Sequence, residues 1–171
     1  MKAIALLLLI LIISQSTNAA GTCKDYITDE WLDSRYSIEL LSADNVVTDN
    51  KTGLMWKQCN QGLSGADCTT GTITTHTWKA ALDLASTEDF AGFTDWRVPN
   101  VEELRSIAAI NCFNPAINET AFPNTPSGWY WSSSPVAGGG FNAWIVNFYS
   151  GNYLTFGRDI NLRVRLVRSG Q

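Results

Sequence analysis

The sequence predicts an α+β fold in which two helices pack on an antiparallel sheet, with long loops between the elements and disulfide bonds that stabilise them. Three observations support this prediction. Two short apolar runs near the N-terminus flank a turn, two segments with helical spacing follow, and the last third alternates aromatic and polar residues between glycine turns. Helices that are grouped in the chain and separated from the strands indicate an α+β domain rather than alternating βαβ units.

The first nineteen residues have the pattern of a secretory signal peptide. Lys2 provides the positive start, an apolar run covers residues 3–13, and small residues precede a cleavage point that we place after Ala19. The apolar run is too short to span a bilayer, and no later segment reaches the roughly 20 apolar residues that spanning needs. We therefore expect an exported protein, periplasmic or extracellular, without a transmembrane segment.

Residues 20–44 mix charged and aromatic side chains without a clear period, which predicts an N-terminal arm that wraps a single domain at residues 45–171. A β-hairpin opens this domain. Its strands are predicted at residues 46–48 and 54–56, because Gly53 between them can adopt the positive φ angle of a bulged turn.

Two helices are predicted after the hairpin. Apolar residues at positions i, i+3, i+4 and i+7 indicate a first helix at about residues 78–86, with Thr77 as its N-cap. Pro99 prevents a helix from starting earlier than the next residue, and Asn100 with Glu103 forms a capping box for the second helix. We expect this helix to end near Asn111, because the prolines and asparagines of residues 111–127 indicate a long ordered loop.

The C-terminal third is predicted to be a meander of strands at residues 129–131, 141–148, 153–156 and 162–167. Alternation places Leu162, Val164 and Leu166 on one face of the last strand and its arginines on the other. Upstream, Asp95 and Arg97 lie two apart in an extended link, so we expect them to share a face and form an ion pair.

Four cysteines in an exported chain predict disulfide bonds. Cys59 and Cys68 flank one short loop and are expected to pair with each other, which leaves Cys23 to pair with Cys112. Four cysteines allow three connectivities, and the sequence leaves the other two open.

Charge and residue type exclude some functions. Loss of Lys2 with the signal peptide leaves 11 basic against 16 acidic residues, and this net charge of −5 argues against nucleic-acid binding. His76 is the only histidine, and Ser132 to Ser134 lack the Gly-x-Ser-x-Gly context of a hydrolase nucleophile. We therefore predict no catalytic residue, no metal site and no cofactor.

A ligand-binding patch is predicted on the C-terminal meander, which is rich in Tyr, Asn and Ser. These side chains provide adaptable hydrogen bonds and amphipathic contact area at low entropic cost. The candidate ligand-binding residues are Asn142, Asn147, Tyr149, Asn152, Tyr153, Arg158 and Asp159. The chain ends with a local excess of arginine, so an anionic partner at that end is an open alternative.

Four motifs, in this order, resemble the Lcl C-terminal-domain family of secreted bacterial proteins. They are Val47-Thr48-Asp49-Asn50-Lys51-Thr52-Gly53-Leu54-Met55-Trp56, Phe93-Thr94-Asp95-Trp96-Arg97-Val98-Pro99-Asn100-Val101-Glu102-Glu103-Leu104, Trp131-Ser132-Ser133-Ser134 and Arg165-Leu166-Val167-Arg168. The central motif is also similar to formylglycine-generating sulfatase-modifying enzymes. The resemblance implies a C-type-lectin-like fold for most of the mature chain.

The resemblance also implies a function. Members of this family include exported binding domains and adhesins, so we expect a non-catalytic module that recognises a glycan or protein ligand on a cell surface or envelope. Phe122 precedes Pro123 and Asn124 where calcium-dependent lectins place a carboxylate, which argues against that calcium site. Two alternatives are an enzyme on the sulfatase-modifying scaffold and a receptor diversified by a retroelement. A near-copy of the codons for residues 129–168, beside a reverse transcriptase gene, would identify the latter.

Overall fold

A computed structural model of the protein describes residues 21–170. The predicted signal peptide at residues 1–19 lies outside the described residues. Between Gly21 and Gly170, the longest helix has eight residues, and none is long and apolar enough to cross a membrane.

Two α-helices and eleven strands form the described part of the chain, and all strand pairs are antiparallel. The helices are α1 (Trp78–Ala85) and α2 (Val101–Ser106). The strands are β1 (Thr22–Cys23), β2 (Tyr36–Leu41), β3 (Asp44–Asp49), β4 (Leu54–Lys57), β5 (Leu63–Ser64), β6 (Thr70–Gly71), β7 (Cys112–Phe113), β8 (Trp129–Pro135), β9 (Asn142–Asn147), β10 (Tyr153–Gly157) and β11 (Val167–Ser169). The α+β class and the disulfide stabilisation are confirmed.

A four-stranded sheet with the order β11-β4-β3-β2 contains the predicted hairpin as β3 and β4. The N-terminal arm is more regular than expected, because β2 forms an edge strand of this sheet over its whole length. Charged and apolar side chains on β2 obscure its period, since Ile38 and Leu40 face solvent at this edge. Pairing with β3, rather than a pattern of its own, defines this strand.

A three-stranded sheet with the order β10-β9-β8 is the predicted meander. The predicted final strand at residues 162–167 is wrong in its extent. Leu162 and Arg163 form only single bridges, to His76 and Tyr130, and the regular strand begins at Val167. The segment between Arg163 and Val167 crosses from the three-stranded sheet to the four-stranded sheet. Its backbone hydrogen bonds therefore alternate between different partners.

Both helix starts are confirmed and one helix end is not. Thr77 accepts a hydrogen bond from the backbone of Ala80, and Asn100 and Glu103 form the reciprocal capping box. The second helix ends at Ser106, about one and a half turns before the expected end near Asn111. The backbone N–H of Ala109 donates to the carbonyl of Ala116 instead of continuing the helix, because the loop competes for it.

The sheets separate two apolar cores, and consecutive residues along a strand contribute to different cores. Val47, Trp56, Tyr130, Val146 and Val167 pack with α2, whereas their neighbours Val46, Met55, Trp131, Ile145 and Leu166 pack with α1. Both faces of the central strands are therefore buried, which explains their nearly continuous apolar sequence.

The ion pairs differ from the one predicted. Arg97 donates to both carboxylate oxygens of Glu103 at 2.7 Å, and Arg168 donates to Asp95 at 2.7 and 3.2 Å. Asp95 therefore connects the link before α2 to β11 rather than pairing with Arg97. The hydrogen bond from Arg168 lowers the pKa of Asp95.

Arg165 is completely buried, and its hydrogen bonds go to uncharged groups. Its guanidinium donates to the carbonyls of Lys57 and Gln58, to Asn60 Oδ1 at 3.1 Å and to Thr125 Oγ1 at 2.8 Å. Burial lowers the pKa of Arg165 to about 10, so the group remains protonated at neutral pH. This cation joins the end of β4, the long loop and the C-terminal segment.

Both disulfide bonds have the expected connectivity, Cys23 with Cys112 and Cys59 with Cys68. The first lies between β1 and β7, where the two cysteines are directly paired across the strands. It therefore attaches the start of the described chain to the loop that follows α2.

We predict that Arg165→Met will lower the free energy of unfolding by about 2–4 kcal/mol, because it leaves several buried acceptors without a donor. Lys79→Met is the matched control, since its ammonium is highly exposed, and should change stability by no more than about 0.5 kcal/mol. Urea unfolding at pH 7 measures both. Equal stability of the two variants would contradict this role for Arg165.

A second prediction concerns acid stability. Burial raises the pKa of Asp49, but hydrogen bonds from Arg35, Thr52 and the Lys51 backbone outweigh it, so the pKa is lowered overall. Its stabilising contribution is therefore complete above the unfolded value of about 3.9 and is lost as the pH falls below it.

Asp49→Asn should lower stability at pH 7 by about 3–5 kcal/mol, because it leaves the buried Arg35 guanidinium unpaired. The variant should also lose less further stability than the wild type between about pH 4 and pH 2. Urea midpoints across this range test the prediction, with the exposed Asp25→Asn as control. Parallel pH profiles for wild type and Asp49→Asn would contradict it.

Candidate functional site

The predicted ligand-binding residues lie on the meander, but in two groups at opposite ends of β10. Tyr149, Asn152 and Tyr153 lie at its start, whereas Arg158 and Asp159 follow its end, where Asn142 is paired with Gly157. Four residue steps along a strand separate the groups by about 13 Å. The meander therefore presents two surfaces rather than the single patch that was predicted.

Asn147 has a structural role in the turn between β9 and β10. Its side-chain oxygen accepts the backbone N–H of Tyr149 at 2.7 Å, and its backbone N–H donates to the carbonyl of Asn152 at 2.8 Å. These bonds occupy the side-chain oxygen and set the conformation that exposes Tyr149.

A stack of aromatic and cationic side chains forms the first surface. The Arg105 guanidinium carbon lies 3.8 Å from the centre of the Tyr153 ring, and the centre of the Trp144 ring lies 5.7 Å from the centre of the same Tyr153 ring. Arg105 also binds Glu102 at 2.9 Å, one turn earlier on α2. Tyr153 is 45% exposed, so the stack remains accessible from solvent.

The exposed aromatic surface continues toward the turn. The ring centres of Phe113 and Tyr149 are 6.5 Å apart, and Lys24 Nζ lies 5.7 Å from the centre of Phe113. Ile110 is exposed and lies against Gly151. A Cβ atom added at Gly151 would be 3.1 Å from the Ile110 side chain. We call this surface the aromatic strip. Its residues are Lys24, Arg105, Ile110, Phe113, Trp144, Tyr149 and Tyr153.

The fold positions the aromatic strip through local structure. The capping box starts α2 so that Leu104 is buried and Arg105 faces the strip. The disulfide bond of Cys112 holds Phe113 beside Tyr149, while the buried Phe148 anchors the turn.

The second surface surrounds Arg158. Its guanidinium lies 4.3 Å from the centre of the Trp78 ring, and its Nε donates to the carbonyl of Asn142 at 3.1 Å. An open cleft of about 550 Å³ lies beside it, lined by Thr77, Phe141, Arg158 and Asp159. Phe141 is 86% exposed, the most exposed large apolar side chain of the described residues.

The expected basic character of the C-terminal end is reduced by burial. Arg165 and Arg168 are buried, and Arg168 is also paired with Asp95. Arg158 and the partly buried Arg163 are the other arginines of this segment. The local charge of the sequence therefore overstates the charge that a ligand would meet.

The family profile of the Lcl C-terminal domain matches residues 45–168. The chain belongs to this family. A search of curated proteins found no match. The matched region of the Lcl C-terminal domain contains all of β3 but its first residue, β4 to β10, both helices and the start of β11. The strands β1 and β2 precede it and complete its sheets.

All but one residue of the aromatic strip belong to the Lcl C-terminal domain, since Lys24 precedes the match. Sequence reasoning found Tyr149 and Tyr153 but not Arg105, Ile110 or Phe113, which lie far from the meander in the chain. Trp144 is half-buried on its strand. Ile110 lies within the extent predicted for the second helix, so its exposure follows from the earlier end of α2.

Two further clefts lie away from the meander of the Lcl C-terminal domain. One of about 330 Å³ lies in the long loop between Asn114 and Ser127, and one of about 290 Å³ lies between the β2–β3 turn and the disulfide loop after Cys59. Neither contains a predicted ligand-binding residue. Across residues 21–170, no group of three His, Cys, Asp or Glu side chains has a metal-binding arrangement.

Proposed function

We propose that the protein is an exported, non-catalytic binding module that recognises a glycan or protein ligand on a cell surface or envelope through its C-terminal meander. The observation that carries this proposal is the Arg105–Tyr153–Trp144 stack, in which exposed rings and a cation lie on a rigid support. Membership of the Lcl C-terminal domain family supports a domain without catalytic activity.

A glycan is the ligand class that fits the aromatic strip best. Tyr and Trp rings offer flat apolar faces for the C–H groups of a sugar, and the tyrosine hydroxyls can bind its hydroxyls. Arg105 and Lys24 place two cations beside these rings, and Arg105 is paired with the exposed Glu102. An acidic group on a glycan can bind Lys24 and can compete with Glu102 for Arg105. Because the mature chain has a net charge of −5, this electrostatic attraction for an acidic glycan acts only close to the strip.

We also propose that the protein is exported and that it has a C-type-lectin-like fold. Two disulfide bonds among the described residues support an oxidising compartment, periplasmic or extracellular. Two short helices on antiparallel sheets, with a long disulfide-anchored loop, support a C-type-lectin-like fold.

We propose that the protein is not catalytic because its cysteines and its histidine lack the arrangement that catalysis needs. All four cysteines are in disulfide bonds, so none is a thiolate of the kind that sulfatase-modifying chemistry needs. His76 Nε2 lies 2.9 Å from Thr74 Oγ1, where no carboxylate orients it.

We predict that Tyr153→Ala and Arg105→Ala will each weaken glycan binding by about tenfold, because each removes half of a cation–ring pair at the strip. An array of acidic and neutral glycans, followed by titration of the best ligand, measures this. Tyr26→Ala is the matched control, since Tyr26 is 79% exposed and outside the strip.

Unchanged affinity in both strip variants, or an equal loss in Tyr26→Ala, would contradict the site. Circular dichroism should show native spectra for all three variants, because each substituted side chain is at least partly exposed. Binding that increases at high salt would argue against a contribution from the two cations.

A further inference from the structure

The outer edge of β10 is open in the described part of the chain, because β10 is the terminal strand of its sheet. Asn147 N donates to Asn152 O, and Arg158 N donates to Phe141 O, both at 2.8 Å. Even-numbered residues of β10 therefore bond to β9, since bonding alternates along an antiparallel strand. The residues whose backbone groups point outward are Tyr153, Thr155 and Gly157.

The side chains of β10 make this edge unusual for a secreted protein. Its five residues, Tyr-Leu-Thr-Phe-Gly, carry no charge and no proline, the features that normally protect an edge strand. Tyr153, Leu154 and Phe156 are 45%, 38% and 48% exposed, and Phe141 extends the apolar surface. Two other long strands are terminal in their sheets: β2 contains the charged Glu39, and β8 is partly covered by a bridge between Tyr130 and Arg163.

We propose that β10 pairs with β10 of a second copy of this chain, antiparallel and about a two-fold axis at Thr155. The outward-facing residues then match each other, with Thr155 opposite Thr155 and Tyr153 opposite Gly157 of the other copy. This register gives about four backbone hydrogen bonds, and about two more to the Gly157 carbonyls, each of which also accepts from Ile160 N at 3.4 Å. It joins the two meanders into a six-stranded sheet.

Side-chain fit favours a second copy over an arbitrary peptide. On the face toward α2, the two threonines form a favourable cross-strand pair. Tyr153 lies opposite Gly157 of the other copy, where the Asp159 carboxylate occupies the space of the missing side chain. The threonine pair is therefore the contact that this face offers to a second copy.

The face toward α1 fits equally well. Leu154 lies opposite Phe156 of the other copy, in a pair whose side chains approach closely. Asn152 lies opposite Arg158, beside the cleft of Thr77 and Phe141, where its amide oxygen can accept from the guanidinium. Leu154, Thr155 and Phe156 bring no charged side chain to the centre of the pair, which limits the repulsion between two molecules of net charge −5, and Asp159 lies beside Gly157 at each end.

The size of this contact indicates a weak dimer. The exposed parts of the four apolar side chains amount to about 400 Å² per copy. The pair therefore covers about 800 Å² of side-chain surface plus the strand backbones, at the lower end of specific interfaces. Dimerisation should accordingly depend on concentration.

Pairing would place both aromatic strips on the same side of the joined sheet, because Tyr153 faces α2 in each copy. The dimer would then bind a glycan-bearing surface through two sites at once. This consequence rests on the proposed function, whereas the pairing itself does not.

Sedimentation velocity on the mature chain, from about 5 to 500 µM, tests the proposal. The wild type should shift from monomer to dimer with concentration, and Phe156→Lys should remain monomeric because it buries a charge against Leu154. Leu40→Lys is the matched control, on the exposed edge strand β2, and should dimerise as the wild type does. A monomeric wild type at all concentrations, or equal dimerisation of all three proteins, would overturn the proposal.

A second measurement does not depend on the folding of Phe156→Lys. In Thr155→Cys the two thiols lie on the two-fold axis, with Cα atoms about 5.5 Å apart, which a disulfide bond can span. Mild oxidation should yield a covalent dimer of Thr155→Cys, whereas the Leu40→Cys control should stay monomeric. Equal yields from the two variants would contradict this register.

Glycan binding gives a separate readout. Phe156→Lys should bind a soluble oligosaccharide as the wild type does but should bind a densely coated surface at least about tenfold more weakly. Loss of soluble binding in Arg105→Ala, whose side chain lies on α2 outside the β10 pair, with dimerisation intact supports separate roles for the aromatic strip and the edge of β10. A wild type that dimerises but binds neither form of glycan would refute the proposed function alone.

Discussion

The buried guanidinium of Arg165 is the constraint on which the rest of the structure depends. Moving a cation out of water costs several kcal/mol, and here carbonyl, amide and hydroxyl oxygens offset that cost in place of a carboxylate. Thr125 precedes the meander and Arg165 follows it, so their hydrogen bond closes the chain around β8 to β10. The strands that present the candidate site are thus held at both ends by one side chain.

The two-sided core explains why the exposed side chains of the meander are concentrated on and beside its last strand. Tyr130 and Trp131 on β8, and Ile145 and Val146 on β9, are buried on both faces by the two helices. β10 lies beyond this cover, so its side chains reach solvent on both faces. One face carries the aromatic strip beside α2, and the other carries the apolar surface beside Phe141 that suits a second copy.

Much of the fold could be predicted because it depends on residues that are neighbours in the sequence. The parts that depend on contacts between distant segments could not be predicted. Turn residues, the Asn100 capping box and the short Cys59 loop involve neighbours in sequence, so their patterns identify them. The strand β2 depends on pairing with β3, and the end of α2 depends on a carbonyl from the following loop. The aromatic strip was predicted only where it lies on the meander, because Arg105 and Phe113 reach it through tertiary structure.

Hydrogen–deuterium exchange of the mature protein, with and without the glycan that binds best on an array, tests the central claim most directly. We predict that the glycan will protect peptides that cover residues 105–113 and 144–153 from exchange. The segment around Arg165 should exchange slowly with and without the glycan, because its hydrogen bonds are already formed. Protection confined to the cleft near the Cys59 loop, with the aromatic strip unchanged, would contradict it.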